Sequence, residues 1–331
     1  MTTLDAAETW RAMRDGVVAF EGKREVVTVS GRDAVSWLQG QLSQDMDVIA
    51  PGGTGDAFLR SPQGKVVALV RVTRAGEEDV VIDFEQGFGE VVVERLKRYR
   101  LRVKAEVSLA PWQSVLLRGP EAAKVVSSVG LAGVGGLVVP FTWPGLRGVD
   151  LLGPVVGIPA GIAVGDVQAL DAARMAAGVP QMGRELSERT IPHESGGVAR
   201  AVSFTKGCYT GQELVARLDA RGARVPRVLR LFVADATDDA TDDEPGDVRE
   251  GGPVPQGAAA GSELVIDGRV AGQATSVARS PATNGLIALA YVRREVEPPA
   301  RGELVGLSGR IEALPVLTLT PEGTSWQDGL R

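Results

Sequence analysis

Apolar and polar positions alternate with two different periods along the chain, and the switches between periods mark out its elements. Glu25 to Val29 reads as a strand, and a helix beginning between Ser30 and Asp33 then places Val35, Leu38 and Leu42 on one face. Val66 to Thr73 and Asp79 to Phe84 are rich in β-branched residues and flank the turn Arg74-Ala75-Gly76-Glu77, a hairpin pattern. Phe88, Val91, Val92, Leu96 and Tyr99 recur at helical spacing, and Leu101 to Val107 alternates strictly, which predicts a half-buried strand. The order β-α-β-β-α-β is that of a ferredoxin-like unit.

After Pro111 the same order returns: strand Ser114 to Leu117, helix Glu121 to Val129, strands near Gly136 to Phe141 and Gly148 to Leu152, helix Asp166 to Ala177. Glu263 to Ile266, Arg269 to Arg279, Gly285 to Arg293 and Ile311 to Leu319 are short β-rich runs separated by Gly and Pro, as in a small antiparallel barrel. The expected class is α+β. The expected units are residues 25–110, residues 1–24 with 111–225, and a barrel over 226–331 interrupted by an acidic loop at 235–250. A length of 331 residues agrees with two or three packed domains rather than one core.

Composition narrows the chemistry. A net charge of -6 argues against a chain-wide grip on nucleic acid, which rewards clustered Lys and Arg. Basic runs such as Arg95, Lys97, Arg98, Arg100, Arg102 and Lys104 read as solvated faces. One cysteine and one histidine exclude an internal disulfide, an ordinary Cys/His zinc site and a self-held iron-sulfur cluster. Residues 1–16 carry charges and no apolar segment, so no signal peptide is expected and the location reads as cytoplasmic. Val125 to Leu146 is uncharged, but five glycines with Pro140 and Pro144 argue against a membrane helix.

The candidate chemistry centres on Lys206-Gly207-Cys208-Tyr209-Thr210-Gly211-Gln212-Glu213. Thr210 and Glu213 stand three apart before Leu214, Val215 and Leu218, which predicts a capping box and puts Cys208 just outside a helix N-terminus. That terminus, with Lys206 nearby, would favour a thiolate, while a buried inert thiol is the alternative. Gly207 and Gly211 would allow close backbone approach. His193 lies fifteen residues upstream of the thiol, and a base role for it requires contact that spacing does not give.

The motif resembles the K-G-C-Y-x-G-Q-E signature of YgfZ-type members of the GcvT/YgfZ family. Phe204 before it, Val215-Ala216-Arg217 after it, and Ile191-Pro192-His193-Glu194 upstream are similar to the family as well. So are Trp37 to Asp45, Ser61 to Val66, Arg98 to Arg102, Gly272 to Ser276 and Ala288 to Val292, so the likeness runs through nearly the whole chain. It implies a three-part ring of two ferredoxin-like units and a C-terminal barrel around a tetrahydrofolate pocket. Cys208 and Lys206 are then the expected chemical residues, and Tyr209, Gln212, Glu213, Arg217 and Arg174 the expected folate contacts.

The resemblance implies a factor supporting iron-sulfur cluster assembly or repair and, through client enzymes, tRNA modification. Its partners would be iron-sulfur client proteins or assembly factors, and reduced folate. The alternative is a tetrahydrofolate-dependent one-carbon transferase, an aminomethyltransferase or demethylase. Against it, Val67 and Ala68 occupy the hairpin positions where that branch carries its Asp pair, and Arg174-Met175-Ala176-Ala177-Gly178 lacks the branch's pterin-gripping Glu.

Overall fold

Asp5 accepts the N–H of Glu8 while Glu8 accepts that of Asp5, and this reciprocal cap starts a helix that the sequence reading did not foresee, α1 (Ala6–Asp15). The computed structural model describes residues 2–129, 136–220, 222, 224–235, 257–282, 285–315, 319–320 and 323–324. There follow β1 (Val18–Glu21), β2 (Arg24–Ser30), α2 (Ala34–Gln39), β3 (Thr54–Arg60), β4 (Val66–Arg74), β5 (Asp79–Glu85), α3 (Gly89–Arg98) and β6 (Glu106–Ala110). The next elements are β7 (Gln113–Arg118), α4 (Ala122–Val129), β8 (Leu137–Trp143), β9 (Leu146–Gly153), α5 (Val167–Ala176), α6 (Val198–Ala201) and α7 (Gln212–Ala220). The barrel strands are β10 (Arg227–Ala234), β11 (Glu263–Ile266), β12 (Arg269–Arg279), β13 (Leu286–Arg293), β14 (Ala300–Leu304) and β15 (Leu307–Glu312).

The first sheet has the order β3-β4-β5-β2-β6, a ferredoxin-like arrangement extended by β3 at its edge. Two expectations change here. Thr54 to Arg60 forms a strand although its Gly-Asp start carries little β signal, because its second half, Ala57 to Arg60, is fully enclosed. The alternation from Leu101 is not a strand until Glu106: Arg102 adopts φ 59°, and Lys104 N–H turns to Asp33 Oδ2 at 2.7 Å, so this segment wraps the start of α2.

The second sheet, β1-β7-β9-β8, is the same arrangement with its last strand supplied by the N-terminal segment. The third is a closed barrel, β10-β13-β12-β11-β14-β15, and β13 shows why it reads as a continuous apolar run. Leu286, Ala288, Ala290 and Val292 fill the barrel, while Ile287, Leu289 and Tyr291 pack outward with Ala172, Met175 and Ala176 of α5. The acidic loop expected at 235–250 lies, beyond Asp235, outside the described residues.

The segment carrying the cysteine motif, assigned from sequence to the second unit, packs on the first. Met182, Leu186, Ala201, Val202 and Val215 join the core formed by β2, β4, β5, α2 and α3. We propose unit boundaries that follow these cores, with residues 182–215 counted with the first sheet.

An ion-pair chain crosses between the two α/β sheets. Arg24 and Arg71 both bind Asp83, the latter through two bonds of 3.0 and 2.9 Å. Arg71 also reaches Asp150 of β9 at 2.7 Å, and Arg118 of β7 reaches Asp150 at 2.6 Å. Burial works against ionisation of Asp150, but Arg118, Arg71 and Arg24 outweigh it and hold its carboxyl below the usual aspartate range. Burial drives Arg118 down to about 10 despite Asp150, and its guanidinium lies 3.3 Å over the Phe141 ring.

Removing Asp150 alone strands the buried guanidinium of Arg118 and takes one of two carboxylates from Arg71, so Asp150→Ala should cost about 3–5 kcal/mol in urea unfolding. The depressed carboxyl contributes stability that is present above about pH 4 and lost as pH falls through its lower folded value. Asp150→Asn should therefore flatten the acid limb of a stability-pH curve below about pH 4, and an unchanged limb would contradict the assignment.

Candidate functional site

The loop 203–211 is anchored by Lys206. Its Nζ donates to the carbonyls of Gln39, Leu42 and Gln44 at 2.6, 2.8 and 2.8 Å, which saturates the ammonium. Burial pulls this group down to about 8, with Asp45 and Asp47 opposing. Ser43 adds to the anchor through the N–H of Ser203, and Gly40 through that of Thr210 at 3.0 Å. Gly211 sits at φ +76°, where an added Cβ would meet the Ser61 carbonyl at 2.4 Å. The motif turn and the Ser61–Gly64 turn are thus pressed together, backbone to backbone.

The predicted capping box does not form. The Thr210 hydroxyl bonds the Gly40 carbonyl at 3.4 Å, and it is Gln212 whose Oε1 accepts the Tyr209 N–H at 3.1 Å. Helix α7 begins only at Gln212, four residues past the cysteine. Cys208 is exposed, which disposes of the buried inert reading, and Lys206 makes no hydrogen bond to it. The neighbouring Phe204 is exposed too.

Behind the loop, Tyr209 is held between two cations: the guanidinium carbon of Arg60 lies 4.6 Å and Lys206 Nζ 4.9 Å from its ring centroid. Arg95, read from sequence as part of a solvated basic face, is buried instead and donates to the Arg60 carbonyl at 2.9 Å and to Gln41 at 3.2 Å. His193 sits in a 3-10 turn, Pro192–Glu194, with both ring nitrogens buried.

A separate central cavity of about 1270 Å³ opens where the two sheets and the barrel meet. Arg24, Arg71, Arg118 and Asp150 form part of its wall, and Leu69, Ile49, Phe141 and Trp143 give it apolar and aromatic surface. Phe141 and Trp143 meet edge to face with centroids 4.8 Å apart. The acids Asp56 and Asp171 are committed to arginines, Asp56 to Arg200 and Asp171 to Arg174 and Arg184. Glu85 differs: burial pushes its carboxyl up, Asp83 adds to this, and Arg24 and Arg174 oppose it. Lys23 forms no ion pair among the described residues.

The structure divides the residues that the sequence grouped. Arg174 lines the cavity, tied to Glu185 at 3.0 Å and Asp171 at 2.8 Å. Cys208, Lys206, Tyr209, Gln212, Glu213 and Arg217 do not line it, and Glu213 and Arg217 are exposed on α7. The structure thus sets these motif residues apart from the cavity. Lys206, expected beside the thiol as its activator, is an anchor. The cavity's own groups, Lys23, Arg24, Glu85 and Trp143, carried no recognisable spacing, since the start of β2, the end of β5 and the end of β8 are brought together only by the fold.

A protein family described as glycine cleavage T-protein C-terminal barrel domain matches residues 250–318. The tRNA-modifying protein YgfZ of Pectobacterium atrosepticum is 28% identical over 220 residues, which is 60% of this chain and 65% of that protein. The human mitochondrial iron-sulfur cluster assembly factor IBA57 is 30% identical over 234 residues, 64% of this chain and 65% of that one. The chain thus spans just under two thirds of either relative's length. These matches support a YgfZ-type, GcvT-like family member. The fold agrees: the aminomethyltransferase T of the glycine cleavage system from Bartonella henselae superposes with a TM-score of 0.72 at 18% identity, over 94% of this chain and 89% of that one.

For this GcvT/YgfZ member the loop anchor yields a prediction. Lys206→Met should leave three carbonyls without their donor and cost about 2–4 kcal/mol in urea unfolding. Lys206→Arg should not rescue it, because a planar fork cannot place its donors on three carbonyls converging on one point. Cys208 should be alkylated by iodoacetamide without denaturant in the wild type. Protection of the thiol until unfolding would refute the exposed loop.

Proposed function

We propose that this chain binds reduced folate in its central cavity and supports the assembly or repair of iron-sulfur clusters in client enzymes, tRNA-modifying enzymes among them. The observation that carries the reading is the exposed Cys208 thiol on a loop anchored at Lys206, outside the cavity. An accessible thiol can meet a cluster, a sulfur species or a partner thiol, and the chain's only cysteine needs ligands from another protein to hold a cluster. The named activities of the YgfZ and IBA57 relatives point the same way. A cytoplasmic location belongs to the same proposal. Among the described residues no helix is long and apolar enough to cross a membrane.

The cavity residues fit a folate by their chemistry. Trp143, Phe141 and Leu69 offer the apolar slot that a pterin needs, and Lys23 and Arg24 offer positive charge for a glutamyl carboxylate. Ala176, where the transferase branch carries its gripping carboxylate, packs instead against the barrel. One observation favours the second reading, one-carbon transfer: Glu85 puts on the cavity wall a carboxyl biased toward its protonated form, a group able to give a proton.

Tetrahydrofolate should bind in calorimetry with a Kd in the low micromolar range or weaker, and Trp143→Ala should weaken it about tenfold, the loss of one stacking contact. No heat at millimolar tetrahydrofolate would remove folate from the account. In cells lacking the protein, Cys208→Ser should be folded yet fail to restore iron-sulfur enzyme activity, and full restoration would end the thiol's role. Formaldehyde release from an aminomethylated carrier, abolished by Glu85→Gln, would establish the transferase reading instead.

A further inference from the structure

Arg60 is fully buried at the end of β3, and its Nε, Nη1 and Nη2 make no hydrogen bond among the described residues. Among the described residues no carboxylate pairs with it; its contact is the Tyr209 ring, and a cation-π contact offsets only part of the cost of desolvating a guanidinium. His193, within the field of the Arg60 charge, has Nδ1 and Nε2 equally without partners. The acids nearby are engaged elsewhere. Glu194, next to His193, turns to Arg227 at 3.4 Å, and Asp45 and Asp47 accept from Gln39 at 2.8 and 3.2 Å. Asp219, the remaining acid in the field of His193, makes no ion pair with Arg60.

The backbone brings the two segments together: Arg60 pairs with Val66 between β3 and β4, and the Val66 N–H donates to the carbonyl of Thr190, three residues before His193. An unmatched guanidinium and an unmatched imidazole on these neighbouring segments are polar groups whose complement is a small oxyanion: planar paired donors suit two oxygens of one anion, and the imidazole suits a third. We propose that Arg60 and His193 form a binding site for inorganic phosphate or sulfate beneath the KGCYTGQE loop, with Tyr209 as its cover. Arg60 and Lys206 both contact the Tyr209 ring, so entry of the anion requires this ring to turn aside. The residue it would carry with it is the neighbouring Cys208. This site is distinct from the central cavity, which neither Arg60, His193 nor Tyr209 lines, and it does not depend on the folate reading.

The test is a titration of the full chain with inorganic phosphate, and in parallel with sulfate, followed by calorimetry and by thermal unfolding against sodium chloride of matched ionic strength. Saturable binding of a single anion and a rise in Tm above the chloride control are expected. Arg60→Met keeps the apolar stem and should weaken binding at least tenfold, and His193→Gln should weaken it several-fold with the fold intact, so the result does not hang on one variant. The same affinity in Arg60→Met or His193→Gln would place the anion elsewhere, such as among the cavity arginines, and overturn the site. Absence of saturable binding up to ~10 mM phosphate or sulfate, with folded protein, would overturn it equally, since ten millimolar corresponds to an affinity too weak for a built site.

Discussion

Arg71 is shared between Asp83 of its own sheet and Asp150 of the other, and the relative placement of the two α/β units is fixed at that guanidinium. Three arginines and two aspartates make up the chain, so the contact carries one excess positive charge. Exchanging such a group for well-packed apolar residues costs little in many proteins, but removing one partner strands the rest, and the chain therefore acts as a register device more than as a source of stability. Because Arg24, Arg71, Arg118 and Asp150 face the central cavity, the same device gives that cavity its positive wall.

The cavity and the cysteine occupy different parts of the molecule, and this separation shapes the functional reading. In the cavity, Asp56 and Asp171 are neutralised by arginines, and aromatic surface and positive charge stand beside the Glu85 carboxyl, which burial pushes up. At the loop, Lys206 spends its ammonium on backbone carbonyls and so holds Cys208 out toward solvent with exposed Phe204 beside it. On the proposed reading, a folate in the first place and a partner protein at the second are served at once.

Where sequence reasoning failed, local pattern met a tertiary demand. Leu101 to Ala105 alternates like a strand, yet Lys104 donates its N–H to the Asp33 carboxylate and Arg102 turns the chain, so the segment follows the entry to α2 instead of a sheet edge. Thr210 and Glu213 have capping-box spacing, but Gly40 offers its carbonyl to Thr210 and wins. Arg95 reads as surface charge until Gln41 and the Arg60 carbonyl enclose it. Residues 1–24 read as part of the second unit, but the strand within them, Val18–Glu21, carried no signal of its own because its partner, β7, lies almost a hundred residues away.

The sequence by itself determined the α+β class, the two ferredoxin-like element orders, the C-terminal barrel and the cysteine motif, because period, turn chemistry and a long contiguous string are all local properties. The tertiary structure alone decided that the motif packs on the first sheet, that Lys206 is an anchor, that Arg60 is buried without an acid, and which side chains share the cavity. Each of those depends on what residues distant in the chain present to one another. A charge pattern records how many arginines and aspartates exist, and only folding sets which of them lose their water together.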